Sequence, residues 1–352
     1  MANIFARSPF MIAINEAHQT QTKIELYFRK YGDAWPASPN YTLSKYIPSS
    51  NSPETAYNIA PYCREYLSTT TPQNTYTFDD LDTDLYCEVV IYKYADTGSG
   101  LNFVDAEQYY VFDGYTEYQE FANYNFNNTK VVLLDQGTYY YNPSDATHQL
   151  LLPIFTDSTG TDVNKIKYTD LSGVASPVNV SLNAEDGWKV ATLKYILFNK
   201  CKTEIINDAN AVTHTFYVYP TEECKYTPVR VDFINKYGNW FKLWFYKASN
   251  TSVKTESKTY NLLQNWNYDS TQGQTKVFNK TGRKTIKVNS GWLEEGQNTI
   301  VEQLMLSERV LVDGLPAILK TESLELQKHI NNKQINYSLD FELSYNVLND
   351  IV

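Results

Sequence analysis

Between residues 335 and 343 the chain alternates without a break: Ile335, Tyr337, Leu339, Phe341 and Leu343 are apolar, and Asn336, Ser338, Asp340 and Glu342 between them are polar. Successive side chains of a strand point to opposite faces, so a period of two sets one face against a core and leaves the other in water. Residues 23–29 repeat the pattern, with Ile24, Leu26 and Phe28 on one face and charged residues largely on the other. A chain organised by such segments folds into sheets. The aromatic content agrees: aromatic residues are 15% of the chain, with 30 Tyr, 16 Phe and 6 Trp, and rings of this kind fit pleated, half-buried surfaces. The expected fold class is mainly β, as tandem β-sandwich-like domains with one or two short helices.

The 352 residues, 42% hydrophobic and 20% charged, are enough for a sizeable core and for about two or three domains. Three modules are expected: an N-terminal immunoglobulin-like β domain over residues 1–129, a middle β domain over 130–226, and a C-terminal β domain with a helix over 227–352. In the first, residues 23–29 and 41–47 read as strands separated by the breakers Gly32, Pro36 and Pro39, and residues 84–94 as a long strand. Ile59, Tyr62, Cys63, Tyr66 and Leu67 recur at helical spacing, which predicts a short helix with Asn58 as its N-cap and Pro61 in its first turn. In the second, residues 130–135 and 138–141 read as strand, turn, strand around Gln136-Gly137, followed by strands near 148–155, 178–182, 188–198 and 214–219. In the third, residues 229–234 and 240–246 flank the turn 235–239 as an aromatic-rich hairpin, and residues 292–306 read as a helix with Ile300, Val301 and Leu304 inward, weakened by Gly296.

Chemistry-bearing patterns are scarce. The sequence holds no H-E-x-x-H pair, G-x-S-x-G elbow, P-loop or strand-linked G-x-G-x-x-G, and Gly98-Ser99-Gly100 reads as a turn. His18, His148, His214 and His329 are scattered and read as structural or surface residues. Cys63, Cys87, Cys201 and Cys224 form no C-x-x-C pair and are expected to be buried free thiols. The acidic run at residues 79–84 suggests calcium, but counting from Asp80 the required Gly is Leu85 and the twelfth position is Ile91, so an EF-hand is excluded. A solvated loop leading into a strand is the better reading. Glu294-Glu295 is a poor catalytic pair because adjacent helical residues diverge. Trp240, Trp244 and Tyr246 share one face of their strand and suit either a sugar-stacking platform or packing against another sheet or subunit. No catalytic, cofactor-binding or metal-binding residue is assigned, no cofactor is expected, and the chain is read as no enzyme.

Lys and Arg number 30 against 40 Asp and Glu, a formal charge of −10, which disfavours tight nucleic-acid binding. No secretory signal or membrane-length apolar run is visible.

Two groups of segments resemble virion structural proteins of crAss-like and related tailed phages of Bacteroidota. At one end these are Ser8-Pro9-Phe10, residues 23–27 and 37–45, and Tyr57-Asn58-Ile59-Ala60-Pro61-Tyr62. At the other they are residues 235–238, 290–293, 306–308 and 336–342. The resemblance implies a subunit of a homo-oligomeric ring, of six or twelve copies, in the tail barrel or neck. Its neighbours would be tail, ring or portal proteins, and DNA would meet it only in transit through an acidic lumen. The virion, assembled in the host cytoplasm, is the implied location, with no membrane contact. The alternative is a receptor- or glycan-binding fibre or adaptor module.

Overall fold

The computed structural model describes residues 2–30, 33–48, 54–67, 79–80, 86–120, 131–132, 137–142, 149–156, 165–170, 173, 175–179, 187–194, 200–207, 209–325 and 334–348. The fold is mainly β, with several sheets and, among the described residues, one helix longer than two turns. The chain divides into two compact units, Met1–Pro220 with Ile234–Phe241, and Thr221–Phe233 with Lys242–Val352.

In the first unit, a five-stranded sheet runs in the order Ala2–Phe5, Leu101–Phe112, Tyr86–Asp96, Gln21–Arg29, Tyr41–Tyr46. The alternation read in residues 23–29 is realised: Thr22, Ile24, Leu26 and Phe28 are buried on one face while Lys23, Glu25, Tyr27 and Arg29 lie on the other. A second, two-stranded sheet of Met11–Ile14 and Thr55–Asn58 shares the core of Ile12, Ile14, Ile24, Leu26, Tyr57 and Val89. The Tyr57 hydroxyl donates to the Thr22 carbonyl at 2.9 Å and lies 2.7 Å from the Thr22 hydroxyl, tying strands of the two sheets by a buried polar contact. Buried polar groups of this kind need partners, and these have them.

A helix, Ala60–Glu65, closes this core through Ala60 and Cys63, with a proline in its first turn as expected. Its N-cap is Ile59, not Asn58. Asn58 sits one residue earlier, where its amide oxygen accepts from Phe10 N–H at 3.2 Å and Ala60 N–H at 3.3 Å, fastening the helix start to the preceding sheet. Gly98 and Gly100 adopt φ of 111° and 92° in the tight link between Tyr86–Asp96 and Leu101–Phe112, and the Asp96 carboxylate accepts both their N–H groups.

Two further sheets lie in the same unit: Thr138–Tyr141, Val212–Pro220, Cys201–Ile206, Lys165–Asp170, Ala175–Asn179, and Asp79–Asp80, Gly187–Lys194, Gln149–Thr156, Val131–Val132. The strand, turn, strand expected over 130–141 is not a hairpin. Val131–Val132 pairs with Gln149–Thr156, whereas Thr138–Tyr141 pairs in parallel with Val212–Pro220, so the chain changes sheets around Gly137. Of the acidic run, Asp79 and Asp80 form a short strand against Val190 and Lys189, and residues 81–84 lie outside the described residues. An N-terminal segment therefore completes a sheet of the middle region.

The second unit is built on a seven-stranded sheet in the order Trp240–Phe245, Val229–Ile234, Val310–Val312, Leu315–Leu319, Gln334–Leu343, Thr275–Glu294, Asn250–Asn261. The alternating C-terminal strand buries Ile335, Tyr337, Leu339, Phe341 and Leu343 as its period demands. The helix expected over 292–306 begins later: Trp292, Leu293 and Glu294 end the long strand, and the helix is Asn298–Leu306, with Ile300, Val301 and Leu304 buried. Gly291, at φ 72°, and the register shift between Asn289 and Trp292 bend the strand there without ending it.

All four cysteines are free; Cys63, Cys87 and Cys201 are buried as expected, and Cys224 is exposed. Burial pushes the Cys63 thiol well above its ordinary pKa and the Cys87 thiol up to about 12. Native-state thiol titration should therefore read one fast group per chain, and Cys224→Ser should abolish it. Leu26 is fully buried on a strand paired along both edges. Leu26→Ala should destabilise the first unit by about 2–5 kcal/mol in urea unfolding, the cost of a cavity in a close-packed core.

Candidate functional site

Every residue from 250 to 275 is exposed. Asn250–Asn261 pairs antiparallel with the long strand Thr275–Glu294 from Lys287 back to Thr275. On its other edge that long strand is covered by Gln334–Leu343 only from Thr285 onward. Val347 N–H donates to the Gly282 carbonyl at 2.7 Å, and the Arg283 guanidinium meets Glu342 at 3.0 Å. Beyond this anchor, residues 256–261 and 275–281 form a two-stranded ribbon, roughly 20 Å long at 3.3 Å per residue, capped by the loop 262–274. We call this hairpin the arm.

An isolated two-stranded ribbon is marginal in water. Cross-strand charge does little to offset this: at the arm's root Lys254 faces Arg283 directly, and within the arm no opposite charges face each other. One aromatic pair helps: the Tyr260 and Phe278 rings meet edge to face with centroids 6.0 Å apart. The tip is internally ordered. Leu262 N–H donates to the Gln274 carbonyl at 2.8 Å, the Asp269 carboxylate accepts the Thr271 N–H at 2.9 Å and its hydroxyl at 2.6 Å, and the Lys276 ammonium donates to the Gln272 carbonyl at 2.7 Å. The Thr271 hydrogen bonds hold the Asp269 carboxyl below the usual carboxylate range.

This ordered tip presents apolar groups to solvent: Leu263 and Trp266 are essentially fully exposed, at 103% and 92%, with Tyr268 exposed in the same loop and Val277 and Phe278 exposed on the ribbon. Large exposed apolar groups gathered in one short segment mark an interaction surface more often than single scattered ones do. At the arm's root, Lys254, Arg283 and Lys320 line a polar recess of about 330 Å³ with Glu256 and Glu342. The Arg283 hydrogen bond, with Lys320 nearby, holds the Glu342 carboxyl below its usual range.

A second surface lies in the first unit, on the solvent face of the five-stranded sheet. Tyr27, Trp35, Pro36, Val90, Tyr92 and Tyr94 line a cleft of about 250 Å³. Cross-strand register puts Tyr27 opposite Val90 and Glu25 opposite Tyr92, so the rings share one face, with Tyr27 diagonal to Tyr92. Tyr27 and Tyr92 meet edge to face at 5.3 Å, and the Arg29 guanidinium lies 4.3 Å from the Trp35 ring centroid. Burial on this face acts to raise the Glu25 carboxyl, but hydrogen bonds donated by Lys23, Tyr94 and Tyr27 outweigh it and hold the group below its usual range. Burial, then the neighbouring Glu25, raises both the Tyr27 and Tyr94 hydroxyls.

The residues singled out from sequence fall elsewhere. Trp240 and Tyr246 are buried and Trp244 is half-buried, so they pack within the fold and offer no open platform. Glu294 ends a strand and Glu295 opens a short 3-10 turn. His18 sits in a turn at φ 61°, His214 is half-buried in a strand, and His148 and His329 lie outside the described residues. Among the described residues no group of three or more His, Cys, Asp or Glu side chains is placed to hold a metal ion, and no helix is long and apolar enough to cross a membrane. No protein-family model matches the chain, and no curated protein matches it.

The arm's exposure has a direct readout. Limited chymotrypsin treatment of the free subunit should cut first in the tip, within residues 262–268, leaving two large fragments before any other band appears. First cleavage within the five-stranded sheet would contradict this description.

Proposed function

We propose that this chain is a structural subunit of a bacteriophage virion, one copy of a homo-oligomeric ring in the tail barrel or neck that encloses part of the genome-ejection conduit. The observation that carries the reading is the arm: an ordered, protruding hairpin with a bare apolar tip has no role within its own sheet and every feature of a contact with another subunit. The framing segments that resemble phage virion proteins support it. Several of those segments lie in the strands of the two large sheets, where they set the frame and not a reaction centre.

Head-to-tail contacts join two different patches on each copy, and they close into a ring when the rotation per subunit divides a full turn. A protruding arm and a separate recess are what such a contact needs. The role requires no covalent chemistry. A formal charge of −10 suits a wall past which DNA slides without being gripped, because like charges repel and no counterions are released on contact.

Mass photometry of the purified chain, with negative-stain imaging of the large species, should show a closed ring of six or twelve copies, alone or on addition of neighbouring tail proteins. In that ring the tip should resist the chymotrypsin that cuts the free subunit. A chain that stays monomeric with those partners present, and is missing from virions, would overturn the proposal.

A further inference from the structure

The arm and its root together are basic on an acidic chain. Residues 250–287 carry seven Lys and Arg against two Asp and Glu, a net of +5, with Lys254, Arg283, Lys284 and Lys287 at the root and three Lys against Glu256 and Asp269 in the arm itself, whereas residues 1–120 carry seven against sixteen, a net of −9. Such segregation orients two copies of the same molecule head to tail and speeds their encounter, because opposite patches attract and like patches repel. Two carboxylates on the cleft's strands, Glu25 and Glu88, are already bridged by Lys23 and Arg29, which also lie over the Tyr94 and Trp35 rings, so the attraction comes from the charge of the whole segment and not from the cleft itself.

Attraction sets orientation, and an apolar anchor sets the contact. Trp266 is the largest bare side chain of the tip. The cleft of Tyr27, Trp35, Pro36, Val90, Tyr92 and Tyr94, at about 250 Å³, falls below the range of roughly 300–1,000 Å³ usual for small-molecule sites and suits one large side chain. Its ring edges and faces are those an indole packs against, and aromatic residues seated in such recesses dominate the energetics of subunit interfaces. The internal hydrogen bonds of the tip reduce the ordering cost of inserting it.

We propose that the arm of one copy lies on the first sheet of a second copy, with Trp266 seated in the cleft of Tyr27, Trp35, Tyr92 and Tyr94. The proposal rests on the homo-oligomeric reading and assigns the two halves of its interface. The contact is heterologous: each copy gives an arm and receives one, so the two patches are separable by mutation.

Trp266→Ala and Tyr92→Ala chains, each checked for an unchanged thermal midpoint, should each weaken assembly at least about tenfold in mass photometry. Trp35→Ala replaces Tyr92→Ala if the latter misfolds. The control Tyr46→Ala, an exposed ring on the same sheet outside the cleft, should assemble as the parent does. Mixing the two defective chains is decisive. One retains a good cleft and the other a good arm, so the mixture should give dimers while each alone stays monomeric. Parent rings with an unaffected Trp266→Ala variant would overturn the arm contact and leave the ring reading standing. Loss of assembly in Trp266→Ala with none in Tyr92→Ala or Trp35→Ala would overturn the choice of cleft. A parent chain that never assembles, even with tail partners, would overturn both. Reversing Lys276, Lys280 and Lys284 to Glu should weaken assembly; loss of duplex-DNA binding with assembly intact would reassign the arm to nucleic acid.

Discussion

A strand is stable when its backbone groups are paired and at least one of its faces is dry, and this double requirement organises the chain. Gln21–Arg29 meets it fully: neighbours on both edges, one face in the core, and the other carrying side chains that pair among themselves. Gln334–Leu343 meets it between Thr275–Glu294 and Leu315–Leu319. The long strand Thr275–Glu294 meets it over half its length, from Thr285 onward, and then continues past the sheet that supports it. Because only one neighbour follows it outward, both faces of the extension stay wet. The arm is thus made by outrunning the core, and what it lacks is what a second molecule can supply.

The same requirement explains what was legible in the sequence. Where one face is dry, the hydrophobic pattern records it, and residues 23–29, 229–234 and 335–343 were readable for that reason. Ile300, Val301 and Leu304 likewise announced a helix by their spacing. Asn250–Asn261 carries no such record, since every one of its side chains is exposed and Ser, Thr, Lys and Asn in any order satisfy a wet ribbon. Ala2–Phe5 and Met11–Ile14 are too short to show a period, and the first pairs in parallel with a strand about a hundred residues away, which no local signal specifies. At Trp292 the reason is different: Gly291 reads as a break before a helix, but its positive φ serves a bulge inside a strand.

Aromatic content was visible, yet its division between core and surface was not. Trp240, Trp244 and Tyr246 share one face of their strand and suit two uses by pattern alone; Trp240 and Tyr246 are buried and Trp244 is half-buried, so tertiary packing decides against an open platform. The cleft of Tyr27, Trp35, Tyr92 and Tyr94 gathers residues from two strands and a loop, so only the register of Gln21–Arg29 against Tyr86–Asp96 reveals it. Tyr27, Tyr92 and Tyr94 do sit at alternate positions beside buried neighbours, a pattern that could have marked a ring-bearing outer face. The arm and its root left one compositional trace, their run of cations in an acidic chain.

That trace also separates two explanations of the lysines. Charges on an exposed edge strand are a common guard against unwanted pairing, and Lys254 and Lys258 on Asn250–Asn261 fill that role. A guard needs charge only along the open edge, and either sign serves. Here Lys276, Lys280, Arg283 and Lys284 lie on Thr275–Glu294 ahead of Thr285, where its second edge is uncovered too, so edge protection reaches both strands; yet all four are positive, and Glu256 is the one carboxylate on the strand that faces them. Edge protection therefore accounts for charge on both strands but not for its predominantly positive sign, which attraction to an oppositely charged surface does explain. The bare tip points the same way, because a guarded edge meant only to repel would not end in Leu263, Trp266 and Tyr268.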